Sequence, residues 1–152
     1  GEQTVRMLFN HLRTEKTAAT VSYKLVDVRP EIGKVNRGIF KIENGKVTDI
    51  LEVFNIDRTE LSATNSKEDD PTSMNIFALH PKDLKIFSKI VSNFKVLHEG
   101  DRKIECLLPQ ELGKSIKEKK LTMKVYPTES KWYGVTSPDD EFVVMEKIKN
   151  GN

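Results

Sequence analysis

The chain has 152 residues, 37% of them apolar and 32% charged, and its formal net charge is +2. That length suits one domain with a buried core, and so small a charge excludes the clustered basic field that nucleic acid or an anionic bilayer needs. A single cysteine, Cys106, excludes an internal disulfide and suits a reducing cytoplasm, and eight scattered glycines assemble no Gly-x-Gly or Gly-Lys-Ser/Thr phosphate loop.

The opening "EQTVRMLFNHLRTEK" sets Val5, Leu8, Phe9 and Leu12 at the spacing of one helix face. Residues 19–28, "ATVSYKLVDV", alternate as a strand until Pro30 and Gly33 break it. Two β-rich runs follow, joined by Glu43-Asn44-Gly45-Lys46; Asn-Gly accepts positive φ at both positions, which predicts a hairpin. Polar residues 57–72 read as a long loop. Residues 73–80, "SMNIFALH", predict a short apolar strand stopped by Pro81, which suits the first position of a helix. That helix repeats Leu84, Phe87, Val91 and Phe94 on one face, and the next places Leu108, Leu112 and Ile116 four apart. "LTMKVYP" reads as a further strand. No apolar run nears the roughly 20 residues of a membrane span.

The last stretch, "TESKWYGVTSPDDEFVVMEKIKNG", sets the only tryptophan, Trp132, before a helix start crowded with carboxylates. Ser137 is a good N-cap, Pro138 suits the first helical position, and Asp139 and Asp140 complement the helix dipole. Those carboxylates therefore have a structural explanation. Strands and helices mix, with a hairpin and few clean βαβ units. The expectation is an α/β fold, a mixed β-sheet flanked by helices, in one domain spanning 1–152.

Among chemically capable residues, His11, His80 and His98 fall on separate elements without metal-ligand spacing and read as structural. Cys106 lies among Ile104, Leu107 and Leu108 and reads as an inert thiol; the lysines of "KSIKEKK" read as a solvated helix face. Three polar positions fit less easily. Gly38 follows Arg37 at the mouth of a strand, where a missing Cβ would let a ligand approach the backbone. Glu52 interrupts the alternation of "VTDILEVF", and Asn75 sits inside the apolar "SMNIF", where a buried amide needs a partner. Each also has a plain reading: a turn glycine, an exposed strand acid, and an amide satisfied by backbone.

In order, the chain contains "VNRGIF", "ILEVFNI", "DDPTSMNIFALHP", "IECLLP" and "VYPTESKWYGVTSPDD". This series resembles the C-terminal half of bacterial sugar-phosphate nucleotidyltransferases, in the branch reading Val-Ser/Asn-Arg-Gly, Glu-Arg, Ser-Met-Asn, Glu-x-x-Leu-Pro and Lys-Trp-x-Gly-Val-Thr. The resemblance runs over essentially the whole chain. It implies the acceptor-side half of a Rossmann-like nucleotidyltransferase domain, with Gly1 closing a segment that ends at the catalytic metal site in the family.

Such enzymes join a nucleoside triphosphate to a sugar-1-phosphate or a related phosphate and release pyrophosphate. The resemblance assigns Gly38 a main-chain N–H toward the sugar, Glu52 an acceptor role for two sugar hydroxyls, and Asn75 a bond to another hydroxyl or to the phosphate side. It implies Mg²⁺ for the full-length enzyme, held mainly by the other half, and no catalytic residue or metal ligand here. The chain alone is then expected to be inactive. Two departures stand out. Gly134 occupies the place of an aspartate found in Trp-x-Asp-x-Gly-Thr relatives, and Val53 that of a basic residue. The expected partners are the sugar-1-phosphate and the nucleoside triphosphate, with no nucleic acid and no membrane, and with room left for a homo-oligomer. The alternative is a non-catalytic half-fold that serves as a binding or oligomerisation module.

Overall fold

A computed structural model describes residues 1–29, 33–57, 61–134 and 138–149. Helices α1 (Glu2–Thr14), α2 (Pro81–Leu97), α3 (Leu108–Lys117) and α4 (Pro138–Lys149) accompany six strands. These are β1 (Ala18–Lys24), β2 (Lys34–Glu43), β3 (Lys46–Asp57), β4 (Pro71–Thr72), β5 (Phe77–Ala78) and β6 (Met123–Pro127). They form one sheet in the order β4-β2-β3-β6-β1-β5, in which β4 also pairs with β1. The β1–β6 pair is parallel and the other pairs are antiparallel. The mixed sheet flanked by helices is thus as the sequence predicts.

β1 is buried from Ala18 to Tyr23, the signature of a strand covered on both faces. Alternation sends Ala18 into a core with Phe40, Ile50, Met123, Val125, and Leu112 and Ile116 of α3. It sends Ala19, Val21 and Tyr23 into a second core with Leu8 of α1 and Ala78. Helices α3 and α1 therefore cover opposite faces. At the far end of the hairpin, Leu25, Ile39 and Ile56 form a third cluster. The hairpin loop has Asn44 at φ 51° and Gly45 at φ 72°, the two positive values that Asn-Gly predicts.

Several expectations shift. α1 does not bury the stripe of Val5 and Phe9, which are 67% and 59% exposed; it packs through Thr4, Leu8 and His11. Polar anchors set that rotation. Thr4 Oγ1 meets Thr128 Oγ1 and Ser130 Oγ at 3.1 and 2.8 Å, and His11 is held by Tyr126 and Thr17.

The strand expected over 73–80 shrinks to β5, because Asn75 takes a left-handed φ of 57° and bends the chain. β1 ends at Lys24 in a short 3-10 turn, Leu25–Asp27, where the N–H groups of Leu25 and Val26 donate to Asp70 and Glu68 carbonyls. The predicted loop over 57–72 contains a second such turn, Leu61–Thr64, and strand β4. α4 begins at Pro138 as expected, while the Ser137 cap lies outside the described residues.

Candidate functional site

Gly38 lies in mid-strand, directly opposite Glu52 in the β2–β3 ladder. Opposed residues of an antiparallel pair send their side chains to the same face. On that face a Cβ at position 38 would lie 3.0 Å from Pro109 Cβ and 3.2 Å from Ile50 Cγ2. The glycine therefore lets Pro109, at the start of α3, approach β2, and the space its side chain would fill is protein. This corrects both the expected place at a strand mouth and the turn-glycine reading.

Gly38 also joins a third segment. Its carbonyl accepts the N–H of Ser73 at 2.8 Å, and Ser73 Oγ accepts the N–H of Asn75 at 3.2 Å. The Asn75 side chain is exposed on this bend, where the sequence suggests a buried amide. An exposed amide needs no internal partner, so it is free to serve a solute. Backbone hydrogen bonding thus brings the stretch carrying Asn75 to the Gly38–Glu52 pair.

Arg37 goes to the opposite face of β2. A register shift between Val35 and Arg37 re-aims it, and Asn36 Oδ1 fills the gap by accepting the Asn55 N–H at 3.0 Å. The guanidinium donates from Nε and Nη2 to the Val28 carbonyl at 3.1 and 2.7 Å, and from Nη1 to the Asn36 carbonyl at 3.0 Å. Its Cζ sits 5.5 Å from the centroid of the Trp132 ring. Trp132 in turn packs on the core beneath α1. The tryptophan is a prop for Arg37 and the sheet.

Glu52 is the one member of this group left in an unfavourable state. Its Oε2 is buried without a hydrogen-bond partner, and burial pushes its carboxyl above the ordinary glutamate range, only partly countered by the Arg37 charge. Burial likewise lowers Arg37, with Glu52 acting against it. A carboxylate so placed lacks donors, and a solute rich in hydroxyls would supply them.

The remaining candidates are structural. His11 is buried, with Nε2 2.9 Å from the Thr17 carbonyl, which only accepts; Nε2 therefore carries the proton and Nδ1 accepts from the Tyr126 hydroxyl at 2.9 Å. Asp83 Oδ2 caps the start of α2 by accepting the His80 N–H at 3.0 Å, and His80 Nε2 lies 3.0 Å from the Glu15 carbonyl. His98 stacks on Phe94 at 4.4 Å between ring centroids. Burial, and then the Glu111 charge, raise the Cys106 thiol, which disfavours the nucleophilic thiolate. A groove of about 460 Å³ along α1, lined by Arg6, Asn10 and Tyr126 among others, includes none of Gly38, Glu52 and Asn75.

Among the described residues no three His, Cys, Asp or Glu side chains gather to hold a metal. At position 134 a Cβ would fall 2.6 Å from Trp132 Cζ2, so the indole ring fills the volume that a side chain there would take. No helix among the described residues is long and apolar enough to cross a membrane.

Sequence reasoning singles out Gly38, Glu52 and Asn75 but misses Ser73, Pro109 and the Arg37–Trp132 stack. The signal for the stack was present, since an arginine beside a glycine in a strand and a lone tryptophan both lie within the quoted motifs. Neither a protein-family model nor a curated protein matches this chain.

Proposed function

We propose that this chain is the acceptor side of a sugar-phosphate nucleotidyltransferase and binds a sugar-1-phosphate, or a related phosphate, through Gly38, Glu52 and Asn75. The observation that carries the reading is the buried, unpartnered Glu52 Oε2 opposite Gly38. The quoted motifs support it by meeting in space: Glu52 opposes Gly38, Ser73 bonds Gly38, Pro109 packs on Gly38, and Trp132 underlies Arg37.

In the transfer itself an oxygen of the acceptor phosphate forms a bond to the α-phosphorus of the triphosphate, and the bond to the departing pyrophosphate breaks. This chain's part is to hold the sugar. Sugar hydroxyls donate to Glu52, and Asn75 offers both a donor and an acceptor. An epimer that failed to reach Glu52 would leave the carboxylate buried and unpaired, which is the physical basis of discrimination. The triphosphate, its phosphate loop and Mg²⁺ belong in this reading to a separate half.

A thermal-shift panel tests the proposal. Millimolar hexose 1-phosphates should raise the melting temperature of the chain, because a ligand that binds only the folded state stabilises it. Nucleoside triphosphates should not, and the chain alone should release no pyrophosphate from the two substrates together. Stabilisation by triphosphate with none by sugar phosphates would overturn the assignment.

A further inference from the structure

Among the described residues two helices expose apolar side chains, and their charges are opposite. The α2 stripe of Leu84, Phe87, Val91 and Phe94 meets the core through Phe87, beside Ile86, while Leu84 and Val91 are 53% and 45% exposed. The helix bears Lys82, Lys85, Lys89 and Lys95; its only acid, Asp83, is buried and caps the helix start. Helical spacing sets Lys95 one turn beyond Val91, and Lys85 lies on the exposed side of the same helix.

α4 exposes Phe142, Met145 and Ile148, three residues apart, with Glu141 and Glu146 on either side. All its acids, Asp139, Asp140, Glu141 and Glu146, precede its two lysines. Among the described residues α2 and α4 share no extensive contact.

We propose that the chain self-associates by laying α2 of one copy on α4 of another, stripe against stripe, with lysines of α2 opposite carboxylates of α4. An anionic bilayer would accept the α2 lysines but repel the α4 carboxylates, leaving the apolar side chains of α4 in water. A second copy of the same chain satisfies both helices at once. Apolar burial drives such a contact, and the charges set its partner and make it sensitive to salt. This inference is independent of the acceptor-site reading.

The test is sedimentation velocity of the 152-residue chain at low ionic strength, from micromolar to millimolar concentration. The parent should associate to dimers or larger species. A Lys85→Glu/Lys95→Glu variant and a Glu141→Lys/Glu146→Lys variant should each associate at least about tenfold more weakly, while an equimolar mixture of the two should associate like the parent, since only in trans do their charges match again. Circular dichroism matching the parent shows that both variants fold, as expected for exposed positions. A parent that stays monomeric throughout, or variants that associate as the parent does, would overturn the proposal. So would monomeric chain that floats with phosphatidylserine vesicles, which would give the α2 face to a membrane.

Discussion

The indole of Trp132 fills the volume that a side chain at position 134 would occupy. Gly134→Asp therefore installs no free carboxylate, because its Cβ must first displace the ring from beneath Arg37. We expect a loss of about 1–3 kcal/mol, the usual cost of overpacking, read as a lowered denaturation midpoint and a changed tryptophan emission spectrum. Unchanged stability would mean that Trp132 does not lie over Gly134.

Gly38 is constrained from the other side of the sheet. Gly38→Ala presses a methyl group on Pro109 and Ile50 and should cost about 1–3 kcal/mol. Because Pro109 opens α3, the amides of that helix should lose hydrogen-exchange protection before those of α1. A neutral result would show that Pro109 yields easily, and that the glycine at position 38 has another cause.

These two glycines mark what the sequence can and cannot reveal. The Asn44-Gly45 turn is legible because local backbone chemistry decides it. The alternation that buries β1 is legible in the same way, but the phase of α1 is not. Its apolar periodicity points to Val5 and Phe9, whereas the side chains that lock it are polar, Thr4 and His11, and their partners Ser130 and Tyr126 lie more than a hundred residues away. Gly38 and Glu52 are visible one at a time as misfits of pattern. That they oppose each other, and that Pro109 fills the space a side chain at Gly38 would take, follows only from register and packing.

The Glu52 carboxyl has a folded-state pKa above its ordinary value of 4.5 because burial penalises its charge. Between that value and the raised one, the unfolded chain binds fewer protons than the folded chain, so this group's contribution to stability is present at low pH and falls as pH rises through the window. Glu52→Gln removes that loss. Its melting temperature should equal or slightly exceed the parent's at neutral pH, with the difference shrinking on acidification. A variant that unfolds at neutral pH would make Glu52 a structural strand residue.

The Tyr126 hydroxyl donates to a buried histidine on α1 and so ties that helix to β6. Tyr126→Phe keeps the ring but leaves His11 Nδ1 without its donor. The expected cost is about 1 kcal/mol by urea denaturation, with an unchanged m-value. No change in midpoint would mean that water replaces the hydroxyl and that the pair does not anchor α1.

The central claim is that Glu52, beside Gly38 and the bend carrying Asn75, receives the hydroxyls of a sugar phosphate. An amide NMR titration of ¹⁵N-labelled chain with a hexose 1-phosphate tests it most directly. The account predicts saturable shifts at Gly38, Glu52 and the 73–75 segment. With Glu52→Gln, whose spectrum should otherwise match, binding should be about 10–100-fold weaker, as befits one lost charge-assisted hydrogen bond. Parent binding should also weaken as pH falls through the range in which Glu52 takes up its proton, and the variant's should not. Shifts confined to the groove along α1, or a Glu52→Gln chain that titrates like the parent, would contradict the claim.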